Sequence, residues 1–430
     1  MFEPRAETLD RVARESLQLE RLRATVAWAV ERVAFHRERL GAARLATLGD
    51  LASLPFMRKT DLREHYPFGL FAVPRAELAR IHASSGTKGK PTVVGYTAGD
   101  LDVWRDVMAR AMTAAGCRRG DTLHVGFGYG LFTGGLGFHD GAERLGMTVV
   151  PVSSGNTARH ILLLQDFQPA GLCATPSFAL HIAETLEAHG GDPRALGLRY
   201  GMYGAEPWTE GMRAALERAF GCPAYDVYGL SEIIGPGVAG ECEVRDGLHV
   251  ADDHFLPEVV DPRTGAVLPA GREGELVLTS LTKRAIPMIR YRTGDITTLD
   301  DRPCRCGRTT ARMARIKGRS DDMLIIKGVN LYPSEVEATL LAIEELVPHY
   351  QLVVDRSSTL ARLEVQVEPS PAVVARCAGF DASHPILVEL QRRVGDRLAK
   401  AIGLSVTLTL VAPRTVPRSE GKAVRVVEKG

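Results

Sequence analysis

Between residue 7 and about residue 40, apolar positions recur at helical spacing (Leu17, Leu19, Leu22, Val26, Val30, Val33) with Arg and Glu between them. This spacing predicts a helical N-terminal segment. From about residue 81 to residue 281 the pattern changes to short apolar runs alternating with amphipathic stretches. DTLHVGFG is followed by a Gly-rich turn, then GMTVVPV, a helix over 158–167, GLCAT, and a helix over 178–189. Repeated strand–helix alternation predicts a largely parallel sheet covered by helices. Residues 240–316 differ again. Runs such as GELVLTSL and RYRTGDITTL, punctuated by Pro, Gly and Asp, predict an antiparallel or barrel-like subdomain. After Gly318 a small unit begins. NLYPSEVEATLLAI opens on Pro333, with a capping box read at Ser334 and Glu337. Strands at YQLVVD and ARLEVQVEP, a helix over 386–401 and a last strand at SVTLTLV complete the order of an α+β sandwich. The expected fold class is therefore α/β. A large N-terminal region of layered sheets and helices (1–317) carries the barrel-like subdomain, and a small α+β domain (318–430) follows, with the boundary at GRSDD (318–322).

Length supports that division, because 430 residues exceed what one ordinary hydrophobic core accommodates. Apolar residues at 45% and charged residues at 24% fit a soluble globular protein. Net charge is +1 and no dense Lys/Arg run occurs, which argues against nucleic acid or an anionic membrane as the main partner. The first 33 residues are charged throughout, unlike a signal peptide, and no window approaches the roughly 18 apolar residues of a membrane span. A cytoplasmic location is the expectation. Seven cysteines, an odd number in a long chain, do not read as a disulfide framework. Four of them (Cys117, Cys173, Cys222, Cys377) lie in apolar or mixed surroundings and read as small buried hydrophobes.

The segment Ser84-Ser85-Gly86-Thr87-Lys88-Gly89-Lys90-Pro91 combines small hydroxyls, glycines and cations. Such a loop wraps N–H groups and positive charge around polyphosphate. Alone it reads equally well as a solvated surface turn. It is not the P-loop of common NTPases, which needs four residues between its glycines and Ser or Thr after its Lys. Here two residues intervene and Pro91 follows, so a kinase or GTPase is disfavoured.

Five further stretches follow in order: YGAEPW (203–208), DVYGLSE (226–232), RYRTGD (290–295), GRSDD (318–322) and SEGKAVRV (419–426). Together with SSGTKGKP they resemble the adenylate-forming superfamily, which includes acyl-CoA synthetases, luciferases and peptide-synthetase adenylation domains. Within it, GYGLFTGGLGFHDGAERLG (128–146), YGLSEIIGPGVAGEC (228–242) and DDMLIIKGVNLYPSEVE (321–337) resemble the phenylacetate–coenzyme A ligase family over nearly the whole chain. Two positions depart from the family's pattern: Lys88, where Thr is usual, and Asp140, where an aromatic residue is expected.

The resemblance implies a two-step reaction, in which an aromatic acid and ATP give acyl-AMP and pyrophosphate, and coenzyme A then displaces AMP. It implies that Ser84, Ser85, Gly86, Thr87 and Lys88 hold the β and γ phosphates and that Glu232 ligates Mg²⁺, a hard cation suited to carboxylate oxygen. Tyr228, followed by Gly229, is expected to stack on adenine, with Asp226 and the Gly204-Ala205-Glu206 backbone near its edge. Asp295 is expected to bind the ribose hydroxyls and Arg319 to assist at ribose or phosphate. Lys422 matches the superfamily's catalytic lysine, carried by a mobile C-terminal domain, and Asp321 its hinge. Thr87, Glu232 and Lys422 form the implied catalytic set. Tyr129, Phe132, Gly134 and Gly135 follow a strand and offer an aromatic wall with space beside it, suited to a planar aryl or arylacetic acid; ordinary aromatic core packing is the alternative. The family's assemblies are commonly dimeric, so the resemblance leaves a homodimer open. The rival functions are an aryl acid adenylating enzyme that delivers to a carrier protein, and a non-catalytic nucleotide-binding regulator. Against the regulator stand Glu232, Asp295 and Lys422 together, charges that a sensor does not need.

A second constellation needs no resemblance. Cys242, His249, Cys304 and Cys306 form a Cys₃His set within about 240–310. Cys304-x-Cys306 precedes Gly-Arg, and Cys242 and His249 flank a turn at Arg245-Asp246-Gly247. Four N/S ligands suit tetrahedral structural Zn²⁺. The alternative is a set of reduced, unliganded thiols.

Overall fold

Asp10 begins the first long helix by accepting the backbone N–H of Ala13 (2.8 Å), and the helix runs over Arg11–Arg32. A second helix, Ala34–Leu40, completes the expected N-terminal segment. The buried stripe of the long helix is polar at its start (Arg14, Gln18) and mainly apolar from Leu22 onward, with Thr25 the exception. Gln18 there donates to the carbonyl of Asp252 (2.8 Å), and the Arg14 guanidinium donates to that of Thr309, so the helix lies across the cysteine-bearing region. The computed structural model describes every residue except 85–90, 321–322, 327–328, 356–361, 405 and 430.

The strand–helix alternation produces one sheet of nine strands. Its parallel part runs, in spatial order, Thr148–Val150, Thr122–Val125, Gly171–Ala174, Tyr200–Gly204 and Ala224–Leu230. Helices Thr157–Phe167 and Pro176–Ala188 fall within one or two residues of the expected spans. Gly171–Ala174 is buried at every position, as expected for a strand covered on both faces. At Ala224–Leu230 the sheet changes character, because this strand pairs antiparallel with Gly235–Glu241 on its other side. The segment 240–316 divides between two sheets. Leu248–Val250, Arg312–Met313 and Leu299–Asp300 extend the antiparallel flank of the nine-stranded sheet. Phe255–Val260, Gly274–Ser280, Tyr291–Thr297 and Gly318–Arg319 form a separate four-stranded antiparallel sheet, open rather than closed into a barrel.

From Leu324 onward a separate apolar cluster forms, built only from residues of the C-terminal segment. Its sheet runs Thr407–Leu410, Arg362–Pro369, Leu346–Asp355, Val426–Lys429. Helix Pro385–Ile402 buries Leu387, Leu390, Val394 and Leu398 against it, a stripe at helical spacing. Two expectations need correction here. The cap of helix Pro333–Leu341 is at Tyr332, whose N–H donates to the Glu335 carboxylate (3.1 Å). Ser334 instead donates to the Lys317 carbonyl, and Glu337 accepts from the hydroxyls of Thr209 (2.9 Å) and Tyr350 (2.9 Å), ties to the large unit and to the C-terminal sheet. The second correction is the final strand, Val426–Lys429, which lies beyond SVTLTLV and pairs parallel with Leu346–Asp355. Lys422 therefore precedes the last strand.

Candidate active site

The carboxyl ends of the parallel strands, where chain order reverses around Thr122–Val125, are where an open α/β sheet places its ligands. A cavity of about 720 Å³ opens there, between the nine-stranded sheet, the four-stranded sheet and the loop carrying Lys422. Two glycines let backbone approach backbone at its wall. A Cβ at Gly204 would lie 2.2 Å from the Val227 carbonyl oxygen, and one at Gly229 1.9 Å from that of Gly235. Ala205 adopts φ +68°, a conformation that costs a non-glycine residue energy and is held by its surroundings.

On one side of the cavity, Asp295 and Arg319 are paired across neighbouring strands. One Asp295 oxygen meets Arg319 Nη1 at 3.0 Å, and the other accepts the Tyr228 hydroxyl at 2.6 Å. Burial, then the Asp295 charge, raises the Tyr228 phenol well above its ordinary value, so it remains a donor. Asp226 sits behind, against Arg315 (3.3 Å), and its carboxyl is raised by burial and by the Glu241 charge. Arg315 stacks over Trp208, 4.5 Å from the ring centroid. Both line the cavity; Trp208 closes the YGAEPW stretch without an expected role there, and Arg315 lies in none of the sequence patterns.

Glu232 is buried, with one oxygen 3.7 Å from Lys59 Nζ. Beneath it Lys283, fully buried, donates to the Glu232 carbonyl (3.3 Å) and sits 4.5 Å from the Tyr96 ring centroid. Burial pushes its ammonium down to about 8, opposed by Asp100 and Glu232. Lys59 and Lys283 escape sequence reasoning because they lie far from Glu232 along the chain, within segments that look like ordinary helix start and loop. Ser84 lines the cavity, its hydroxyl accepting the Thr92 N–H (3.3 Å). Ser85, Gly86, Thr87, Lys88 and Asp321 lie outside the described residues.

Another side of the cavity is aromatic. Phe127 and Phe138 stack with centroids 5.0 Å apart, and Phe132, Thr133, Gly134 and Pro236 complete the wall. Of the four residues expected there, Phe132 and Gly134 line the cavity. Tyr129 instead turns its hydroxyl to His139 (3.2 Å), and Gly135 packs on the Gly128 carbonyl, where a Cβ would come within 2.7 Å. Asp140, on helix Thr133–Leu145, is buried in an ion pair with Arg80 (2.7 Å) of strand Arg80–Ala83, away from the wall. Lys422 reaches over Phe132, 5.4 Å from its ring centroid. Closely surrounding protein lowers its ammonium below the ordinary lysine value, with Glu206 the largest opposing influence, although the side chain stays open to the solvent of the cleft.

Residues 20–282 match the family model of AMP-binding enzymes, and residues 328–429 match that of the AMP-binding enzyme C-terminal domain. The chain is 52% identical over 440 aligned positions to a phenylacetate-coenzyme A ligase of Thermus thermophilus, covering 99% of each chain. It is 47% identical to that of Escherichia coli, covering 96% of this chain and 94% of the relative. The chain belongs to the phenylacetate–coenzyme A ligase family. Among solved structures, 2-hydroxyisobutyryl-CoA ligase in its postadenylation state superposes with a TM-score of 0.92 at 32% identity, covering 99% of this chain and 92% of the other. The same enzyme in its thioesterification state gives 0.73 at 33% identity, covering 99% and 91%. The arrangement of the two units in this family member is thus the one that the neighbour adopts after adenylation.

Away from the cleft, Cys242, His249, Cys304 and Cys306 converge with all ligand atoms within 4.8 Å of one another. The turn expected between Cys242 and His249 is present, with Arg245 at φ +55° and Gly247 at φ +86° joining two antiparallel strands. Cys242 and Cys304 sulfurs are 3.9 Å apart, and Cys306 Sγ is 3.4 Å from His249 Nε2. Tetrahedral ligands about 2.3 Å (S) and 2.0 Å (N) from zinc are separated by about 3.8 Å and 3.5 Å respectively, so the donor set fits that ion. The other His249 nitrogen is held by Thr310 (3.0 Å), which directs Nε2 at the thiolates. Arg308 donates to Cys306 Sγ (3.5 Å) and pairs with Glu7 (2.6 Å), joining the cluster to the N-terminal segment.

Proposed function

We propose that the protein is an AMP-forming aryl acid–coenzyme A ligase acting on phenylacetate or a close relative. The observation that carries this is the near-complete alignment with phenylacetate-coenzyme A ligases, together with an acid cavity walled by Phe127, Phe132 and Phe138. Attack of a carboxylate on the α-phosphate sets negative charge against negative charge, so the site must neutralise and align both anions. In this reading Asp295 binds the ribose hydroxyls, held in place by Tyr228 and Arg319. Lys422 places its ammonium between carboxylate and α-phosphate. Glu232 would hold Mg²⁺, which neutralises phosphate charge when bound. The phosphate-loop roles of Ser84–Lys88 and the pivot role of Asp321 rest on the family resemblance.

The second half-reaction, thioester formation with coenzyme A, requires the C-terminal unit to leave the position described above. The difference in superposition with the two states of 2-hydroxyisobutyryl-CoA ligase supports this. We also propose a structural zinc at the Cys₃His cluster, where three thiolates and a neutral imidazole around Zn²⁺ would leave one net negative charge for Arg308 to offset. Cytoplasmic location fits the described residues, in which no helix is long and apolar enough to cross a membrane, and a homodimer is checked by light scattering.

The test of the acid class is pyrophosphate release by purified enzyme with ATP and Mg²⁺. Phenylacetate is expected to be turned over far faster than acetate or palmitate. Equal or better rates with the aliphatic acids would sink the aryl assignment.

A further inference from the structure

The peptide carrying Lys422 is fixed from the large unit on both sides. Thr175, at the start of helix Pro176–Ala188, accepts the Phe178 N–H (3.4 Å) and donates to the Gly421 carbonyl (2.7 Å). Thr157 reaches Glu420 (3.1 Å). The most committed partner is Glu206. One of its oxygens accepts the N–H of Ser177 (2.8 Å), one of the N–H groups in the first helical turn that have no partner within the helix. The other accepts the N–H of Ala423 (2.8 Å), in the peptide bond formed by the Lys422 carbonyl.

We infer that Glu206 is a positioning residue for Lys422, clamping the Lys422–Ala423 peptide to a helix N-terminus of the large unit in the arrangement that forms acyl-adenylate. The inference rests on the reading of Lys422 as the adenylation cation. It changes the role of Glu206 from a member of the nucleotide-binding turn to the residue that sets the lysine. The chemistry demands a carboxylate, because both partners are N–H donors. Glutamine has one acceptor oxygen, and its amide group would confront the second N–H. Aspartate is one methylene too short to span them. Glu206 is also the largest of the charges that favour the Lys422 ammonium; Asp295 and Glu232 act in the same sense, while burial and Arg319 oppose it.

The test uses Glu206→Gln in the full-length enzyme, with each half-reaction measured separately. Pyrophosphate release with phenylacetate is expected to fall by ~10-fold or more in kcat, the size expected for a lost charged hydrogen bond. KM for ATP should stay within about twofold, and thioester formation from supplied phenylacetyl-adenylate and coenzyme A should persist. Glu206→Gln combined with Lys422→Ala should be no slower in adenylation than Lys422→Ala alone, since the two act as one unit. Thr175→Val, removing only the bond to Gly421, should show a smaller defect of the same selectivity, and it serves as the test if Glu206→Gln does not fold. The inference is overturned if Glu206→Gln slows both half-reactions alike, or multiplies the Lys422→Ala defect, or adenylates normally while Lys422→Ala does not. Normal adenylation by Lys422→Ala overturns the reading of Lys422 itself.

Discussion

The two walls of the cleft are built on different principles. One is a fixed polar wall, in which Asp295 and Arg319 stand on paired strands of the four-stranded sheet and Asp295 also accepts the hydroxyl of Tyr228 from the nine-stranded sheet. The other is the loop around Lys422, held across a boundary between units by Glu206, Thr175 and Thr157. On the proposed reading, a wall locked by direct hydrogen bonds between two neighbouring sheets serves every step in which the nucleotide is present. A wall assembled across a boundary serves only the step in which that boundary is closed. The cleft thus separates binding, which must persist, from charge stabilisation, which must be withdrawn.

The sharpest way to break this contrast is Lys422→Ala. Adenylation is expected to fall by about 100-fold or more, the loss typical for removing a preorganised charge-stabilising group. Thioester formation from supplied acyl-adenylate should stay near normal. If both half-reactions fall together, the division between the walls is wrong. Asp295→Ala attacks the other wall, and here both half-reactions should suffer, each by ~10-fold or more through loss of charged hydrogen bonds. A defect confined to adenylation would mean that Asp295 does not hold the nucleotide through both steps. Cys304→Ser calibrates the comparison from a distance. Zinc content should fall from about one per chain and the melting temperature should drop, with no selective effect on either half-reaction. A metal-free wild type of normal stability would remove the proposed zinc.

Much of the fixed wall was legible in the chain, because its chemistry lies in contiguous strings. RYRTGD carries Asp295, and DVYGLSE carries Asp226, Tyr228 and Glu232. The cysteine set was legible for the opposite reason: three thiols and a histidine are rare enough to be grouped across sixty-odd residues. What escaped depends on tertiary neighbours. Lys283 looks like any loop lysine until the fold buries it under Glu232. Tyr129 and Gly135 share the pattern of Phe132 and Gly134 but do not line the cavity: helix Thr133–Leu145 turns Gly135 to a different face from Gly134, and Tyr129, ahead of that helix, is drawn to His139. Ser334 and Glu337 have capping-box spacing, yet Glu335 satisfies the first turn and leaves Glu337 to bridge Thr209 and Tyr350. The last strand is short and half polar, and only its partner Leu346–Asp355 makes it a strand.

That last strand anchors the loop of Lys422 at its far end. Before the loop, Arg418 grips Glu368 with two parallel hydrogen bonds (2.8 and 2.9 Å). After it, Val426–Lys429 lies in the same sheet as Glu368. With both ends anchored on one platform, the lysine has little slack. Its ammonium is presented as by a stiff arm rather than a tether, so little disorder is lost when the cleft closes. The same stiffness prevents the lysine from swinging aside by itself. On the proposed reading, the whole platform travels to clear the way for the thiol.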